Sequence, residues 1–274
     1  MSVTSSKYIV QNMERISFFD LETGACDFVI EDLQNAEMTN GSEVVYATGK
    51  NGARLAAFDR NKTSSISATN GTIVDGVLAV QVGDEVDVAT HTVPNEMFAI
   101  ATTNGTDVTL TVKPIGDTGS EIAYIYKRNG DGTLGEKYPI AATATATAFS
   151  YSAANKKITL PTGKFQANDI VVMFYDVEVE NSKLIRNYEN KFSKTGRVVA
   201  DAFFKDVCTD KSYFGKIVYY KAKASGEWNL TFGDDPSVQN VSFEALTGGC
   251  NGTDGAILWD IFIYDEDDRT TLGE

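Results

Sequence analysis

The residues with the right chemistry to hold a phosphate come at 47–84, "ATGKNGARLAAFDRNKTSSISATNGTIVDGVLAVQVGD". Gly49-Lys50-Asn51-Gly52 is a glycine loop carrying a cation, and a helix pattern follows it. A phosphate-cradling loop needs Gly-x-x-x-x-Gly-Lys-Ser/Thr, whose hydroxyl meets magnesium. Here Ala53-Arg54 follows Gly52, and in "PTGKFQ" Phe165 stands where the hydroxyl belongs. The nucleotide reading fails. "KRNGDGTLGEKY" spaces Asn129, Asp131, Gly132 and Thr133 like a calcium loop, but Lys127 and Tyr138 occupy positions that need carboxylates. A tight hairpin turn is the better expectation. With His91 the only histidine, triads and two-histidine zinc sites are set aside. Cys26, Cys208 and Cys250 are odd in number and far apart, so they predict buried free thiols with no disulfide framework or metal knuckle. Carboxylates are abundant, yet nothing singles out an acid–base pair. No catalytic residue, metal or cofactor is expected.

The chain of 274 residues is 42% hydrophobic, enough for a core, and carries a net charge of −14. A protein that grips DNA needs clustered Lys and Arg. This balance excludes a DNA grip but not a DNA conduit. No apolar run approaches the length of a bilayer span, and the N-terminus has no secretory pattern. A soluble protein made in a cytoplasm is expected.

The elements that position these residues read mostly as strands. "ERISFFDLETGACDFVIEDL" is a hairpin pattern around Glu-Thr-Gly-Ala, and "TDVTLTVKPI" alternates with period two. "EIAYIYKRNGDGTL" enters an Asn-Gly-Asp-Gly turn, and "DIVVMFYDVEVEN" is the strongest strand. "KIVYYKAK", "EWNLTFG", "NVSFEAL" and "ILWDIFIY" follow, with turns at 233–236 and 248–253. "AATATATAF" suits a lightly packed strand or extended loop. One helix is expected over about 70–83, capped by Thr or Asn and closed by Gly83, with a weaker one in "NSKLIRNYENKFSKTG". The fold expected is mainly β: an antiparallel sandwich or barrel with one flanking helix.

In this order the elements resemble the major tail (tail tube) proteins of long-tailed bacteriophages. The block from the glycine turn through the helix looks like that family's turn, strand and main helix. "THTVPNEMFAI", "DVTLTVKPI" and "NDIVVMFYDVEV" follow in the family's order. "FSKTGRVVADAFFKDVCTDKSYFGKIVYYKAKASGEWNLTFGDDPSVQNVSFEAL" is similar to its closing strands. The likeness covers roughly residues 7–265 and is one of order and texture. A single β domain over 1–274 is expected, with an N-terminal arm at about 1–12, an extended middle at about 113–169 and an acidic tail at about 265–274.

The resemblance implies a non-enzymatic virion subunit, assembled in the host cytoplasm, whose rings, usually hexameric, stack into a tube for DNA ejection. Its implied partners are itself and other tail proteins such as the tape measure, terminator and baseplate. Genomic DNA passes through without specific binding, and no membrane is involved. Strand alternation puts Asp176, Glu178 and Glu180 on one face, with Val177 and Val179 on the other, and Glu85 and Asp87 alternate similarly with Val86 and Val88. These five acids are the candidates for a lumen wall. Gly49, Lys50, Gly52, Arg54, Arg60 and Lys62 are the candidates for an assembly interface. The alternatives are a head-decoration, terminator or baseplate protein, a carbohydrate-binding sandwich using Trp228, Tyr219 and Tyr220, or a carboxylate hydrolase.

Overall fold

A computed structural model describes residues 7–102, 104–230, 237–247 and 257–265. The turns expected at 233–236 and 248–253, Cys250, the start of the N-terminal arm and the acidic tail beyond Asp265 lie outside the described residues. In chain order the elements begin with β1 (Tyr8–Asp20), β2 (Cys26–Ile30), β3 (Leu33–Thr48), β4 (Arg54–Asn70) and α1 (Asp75–Val82). Next come β5 (Asp87–Ile100), β6 (Asp107–Thr109), β7 (Tyr124–Arg128), β8 (Leu134–Pro139), β9 (Ser150–Ser152), β10 (Lys157–Thr159) and β11 (Ile170–Leu184). β12 (Thr195–Asp206), β13 (Ser212–Ala224), β14 (Gln239–Ala245) and β15 (Asp260–Asp265) complete the set. The protein is mainly β and antiparallel, as the sequence predicts, and among the described residues its sheets form no closed barrel.

Two compact units divide the chain. The first joins residues 1–86 to 185–274. Its sheet runs β2-β1-β12-β13-β14-β4-β3, with β15 also on β13. The sheet curls over itself, because one core gathers Phe18 from β1, Phe28 from β2, Ile66 from β4 and Phe243 from β14. The Phe18 ring stacks on Phe28 at 5.5 Å and on Phe243 at 5.6 Å. The expected β1–β2 hairpin forms, its turn held by Asp20 Oδ1, which accepts from the amides of Glu22 and Thr23.

Helix α1 packs Val77 and Val80 into this core. Its N-cap residue is Val74, which supplies no side-chain cap, in place of the Thr or Asn expected, and Asp75 Oδ1 accepts from the Gly76 amide. Asn70 instead donates to Thr72 O, and Gln239 Oε1 accepts from the Val74 amide. The interior glycine is a packing requirement, since a Cβ at Gly76 would lie 2.7 Å from Asp27 O. Gly83 ends the helix in the left-handed region (φ 74), and Asp84 N donates to Ala79 O.

The second unit is Asp87–Leu184 and contains the extended middle. A four-stranded sheet, β5-β11-β7-β8, and a three-stranded one, β6-β10-β9, share a core including Ile125, Ile158, Val171 and Met173. Of three local expectations, two change and the loop option for the Ala/Thr stretch is met. The "TDVTLTVKPI" strand shortens to β6, because the chain leaves it after Leu110 and Ile115 joins β11 by donating to Asp176 O. The Ala/Thr stretch at 141–149 is an extended loop. The second helix does not form: Asn181 has φ 54, and Ser182 to Leu184 pair with Ala89 to Asp87. Long-range pairing overrides local helix preference there.

Candidate assembly surfaces

Strands β3 and β4 form a hairpin whose outer half stands clear of the core. All ten residues from Arg54 to Thr63 are exposed, and burial begins at Ser64, whose hydroxyl meets Tyr219 Oη at 3.1 Å. At about 3.4 Å per residue the exposed part extends roughly 30 Å. Its tip settles the phosphate question. Gly49 N donates to Ala53 O and Gly52 N to Gly49 O, so these amides close the turn and do not face a ligand. Asn51 and Gly52 adopt φ 62 and 74 to make that turn.

The six interface candidates all lie on this arm, at its tip and along β4. Lys50 and Lys62 are exposed. Arg54 stacks its guanidinium 4.1 Å from the Tyr46 ring centre. Arg60 pairs with Glu43 at 3.1 Å, and Asn61 donates to the same carboxylate at 2.6 Å. The Arg60 and then the Asn61 hydrogen bonds hold Glu43 below its ordinary value. Two of the arginines therefore have partners within their own hairpin. What sequence reasoning missed are the apolar residues: Leu55 is 71% exposed and Phe58 60%, with Val44 and Tyr46 also exposed. On a strand these residues read like core. Only their place beyond Ser64 shows that no core of the described residues covers them.

The acidic candidates do not form one set. On β11, Asp176 and Glu178 are exposed while Val177 between them is buried, as alternation requires. Glu180 sits at a register shift between Val179 and Ser182, and Val179 itself is exposed. Glu178 and Glu180 line a cleft of about 500 Å³ that also includes Lys113, Ile115 and Glu121. Glu85 precedes β5, so the expected alternation with Val86 and Val88 starts only at Asp87. Asp87 pairs across with Leu184, on the side of the sheet opposite Asp176.

His91 corrects the dismissal of triads, since one histidine suffices for that arrangement. Its Nδ1 lies 2.8 Å from Ser182 Oγ and its Nε2 3.1 Å from Asp87 Oδ2. Ser182 Oγ also lies 3.1 Å from the backbone oxygens of Ala89 and Val179, so its one proton is shared among three acceptors and is not committed to the imidazole. The string pins the bulged end of β11 to β5.

The aromatic platform suggested by Trp228, Tyr219 and Tyr220 does not exist, because Tyr219 is fully buried in the first unit's core. Cys26 and Cys208 are exposed, not buried: one opens the edge strand β2 and the other lies in the turn after β12. Among the described residues no cluster of three or more His, Cys, Asp or Glu is placed to hold a metal, and no helix is long and apolar enough to cross a membrane.

The model of the YomU/Tube protein family matches residues 8–258. No curated protein matches the chain.

Proposed function

Because the chain belongs to the YomU/Tube protein family, we propose that it is a non-enzymatic subunit of a phage tail tube, a virion protein that assembles with copies of itself into stacked rings around a DNA channel. The observation that carries this reading, beyond the family, is the exposed β3–β4 arm. Burying an exposed Leu or Phe contributes about 1.5–3 kcal/mol each. Leu55 and Phe58 lie on an arm with no core of its own, and a neighbouring subunit supplies the surface they need. Among the described strands β3 pairs only with β4, which leaves its outer edge available for continuing the sheet into another copy. Such head-to-tail contacts close into rings or extend as open polymers.

The charge supports the conduit half of the reading. Duplex DNA carries one negative charge per about 1.7 Å of axis, so a subunit of net charge −14 does not hold it in passage. The lumen role is not carried forward for Asp176 and Glu178, which share a sheet face with exposed Phe98 and Phe174. A face of that kind suits a protein contact. Ring order, the terminator and tape-measure partners and assembly in the host cytoplasm remain parts of the proposal. Negative-stain electron microscopy of the concentrated protein tests it: stacked rings with a central channel are expected, and a persistent monomer contradicts it.

A further inference from the structure

The first unit holds a cavity of about 530 Å³. Met13 of β1, Met38 of β3, Phe204 of β12, Ile217 of β13 and Ile261 of β15 give it apolar walls, and the exposed Gln11 and Gln34 border it. Opposed residues in an antiparallel pair project to the same side. Met38 pairs with buried Ile66, and Ala36 with buried Ala68, so both aim at the core side of the sheet. Ala36 is nevertheless exposed, and the cavity opens to solvent beside it. Its volume falls within the roughly 300–1,000 Å³ of pockets that take a ligand.

The β3–β4 arm carries the complement, the exposed side chains of Leu55 and Phe58. They cannot enter the cavity of their own chain. The cavity borders β3 as far as Met38, whereas Phe58 pairs with Val45 and Arg54 with Thr48. At about 3.4 Å per residue the extended strand holds the two features roughly 25–35 Å apart. The arm leads away from the cavity at its root, so tip and cavity meet only between copies. Charge favours that meeting. Over residues 41–63, Lys50, Arg54, Arg60 and Lys62 stand against Glu43 and Asp59, which leaves the arm at +2 and the rest of the −14 chain at −16. A basic projection is drawn to the acidic body of another copy and repelled by another arm.

We infer that the arm inserts Leu55 and Phe58 into this cavity of a second copy of the chain. The inference rests on the tube-subunit reading, since both need the arm to meet another copy. Tip and cavity are different surfaces of one molecule, so the contact is head-to-tail: each subunit fills a neighbour's cavity and offers its own to the next.

Blocking the cavity tests it in the full chain. Ala36→Trp fills the opening and Ala36→Glu puts a charge in it; because Ala36 is exposed, both are expected to keep the parent's thermal melt. In sedimentation equilibrium each is expected to associate at least about tenfold more weakly than the parent. An equimolar mixture of Ala36→Trp with the Leu55→Asp, Phe58→Asp protein separates this contact from others. The first keeps its arm and the second its cavity, so the mixture is expected to form a one-to-one pair that does not grow, at a concentration where each alone is monomeric. Ala36 variants that both associate like the parent, a mixture that stays dissociated, or uptake of a single-chain detergent by the cavity that leaves association unchanged would each overturn it. Failure of the underlying reading shows separately, as a Leu55→Asp, Phe58→Asp protein that associates as the parent does.

Discussion

Arg54 holds its guanidinium 4.1 Å from the centre of the Tyr46 ring, across the last rungs of the β3–β4 hairpin. An exposed cation–π contact of this kind contributes about 0.5–1 kcal/mol. The arginine thus stiffens the arm from within, while the neighbouring Leu55 leaves its apolar side chain exposed. Arg54→Glu is expected to leave assembly largely intact, with a modest loss of arm rigidity. Leu55→Asp together with Phe58→Asp is expected to leave the monomer's melting temperature unchanged and to prevent higher assembly. Light scattering at matched concentrations separates the two, and assembly lost only on reversing Arg54 would assign the contact to charge.

A Cβ placed on Gly83 would lie 1.9 Å from the carbonyl oxygen of Phe192. Neither backbone can give way cheaply, and φ is 74. Left-handed backbone costs a non-glycine residue about 1–2 kcal/mol, and overpacking typically adds about 1–3 kcal/mol. Gly83→Ala should therefore destabilise the first unit by about 3 kcal/mol, read as a lower denaturation midpoint. A change below about 0.5 kcal/mol, the range of neutral surface substitutions, would mean that α1 does not dock as described.

Asp201 is buried across three strands, accepting from Arg15 Nε at 3.0 Å and Nη2 at 2.6 Å and from Lys216 Nζ at 2.9 Å. Replacing it by Ala leaves two partly exposed cations without their carboxylate. Breaking a fully buried pair costs about 3–5 kcal/mol, so a loss of about 2–4 kcal/mol is expected here. The same urea series should show the midpoint moving at constant slope.

Stability should also fall at both pH extremes. Asp206 accepts from the amides of Thr209 and Cys208, which hold its carboxyl below 3.8, so its contribution is present above that value and is lost as pH falls through the lowered one. Burial, and then its hydrogen bond to Glu136, pushes the Tyr138 phenol from 10.0 up to about 12. Its contribution is complete below pH 10.0 and disappears as pH rises to about 12. Melting temperatures across pH 9–12 should decline less steeply in Tyr138→Phe than in the parent. Equal slopes would place the alkaline loss elsewhere.

Much of the fold is legible because strand period and turn chemistry are local. The alternation around Val177, the β7–β8 turn and the glycine after Val82 are each written within a few residues. The misreadings concern relations across long stretches of chain. Gln239 replaces a local cap on α1, Ser182 pairs with Ala89 in place of a helix, and Tyr219 turns inward to Ser64. Leu55 and Phe58 show the same limit at the candidate site. Their residue types indicate burial, but only the length of the hairpin shows that they stand outside the core of the described residues.

Electron microscopy of the parent beside the Leu55→Asp, Phe58→Asp protein tests the central claim most directly. Stacked rings with an open channel are expected for the parent, and no stacked rings for the variant. A parent that remains monomeric at high concentration, or a variant that builds the same tubes, would contradict it.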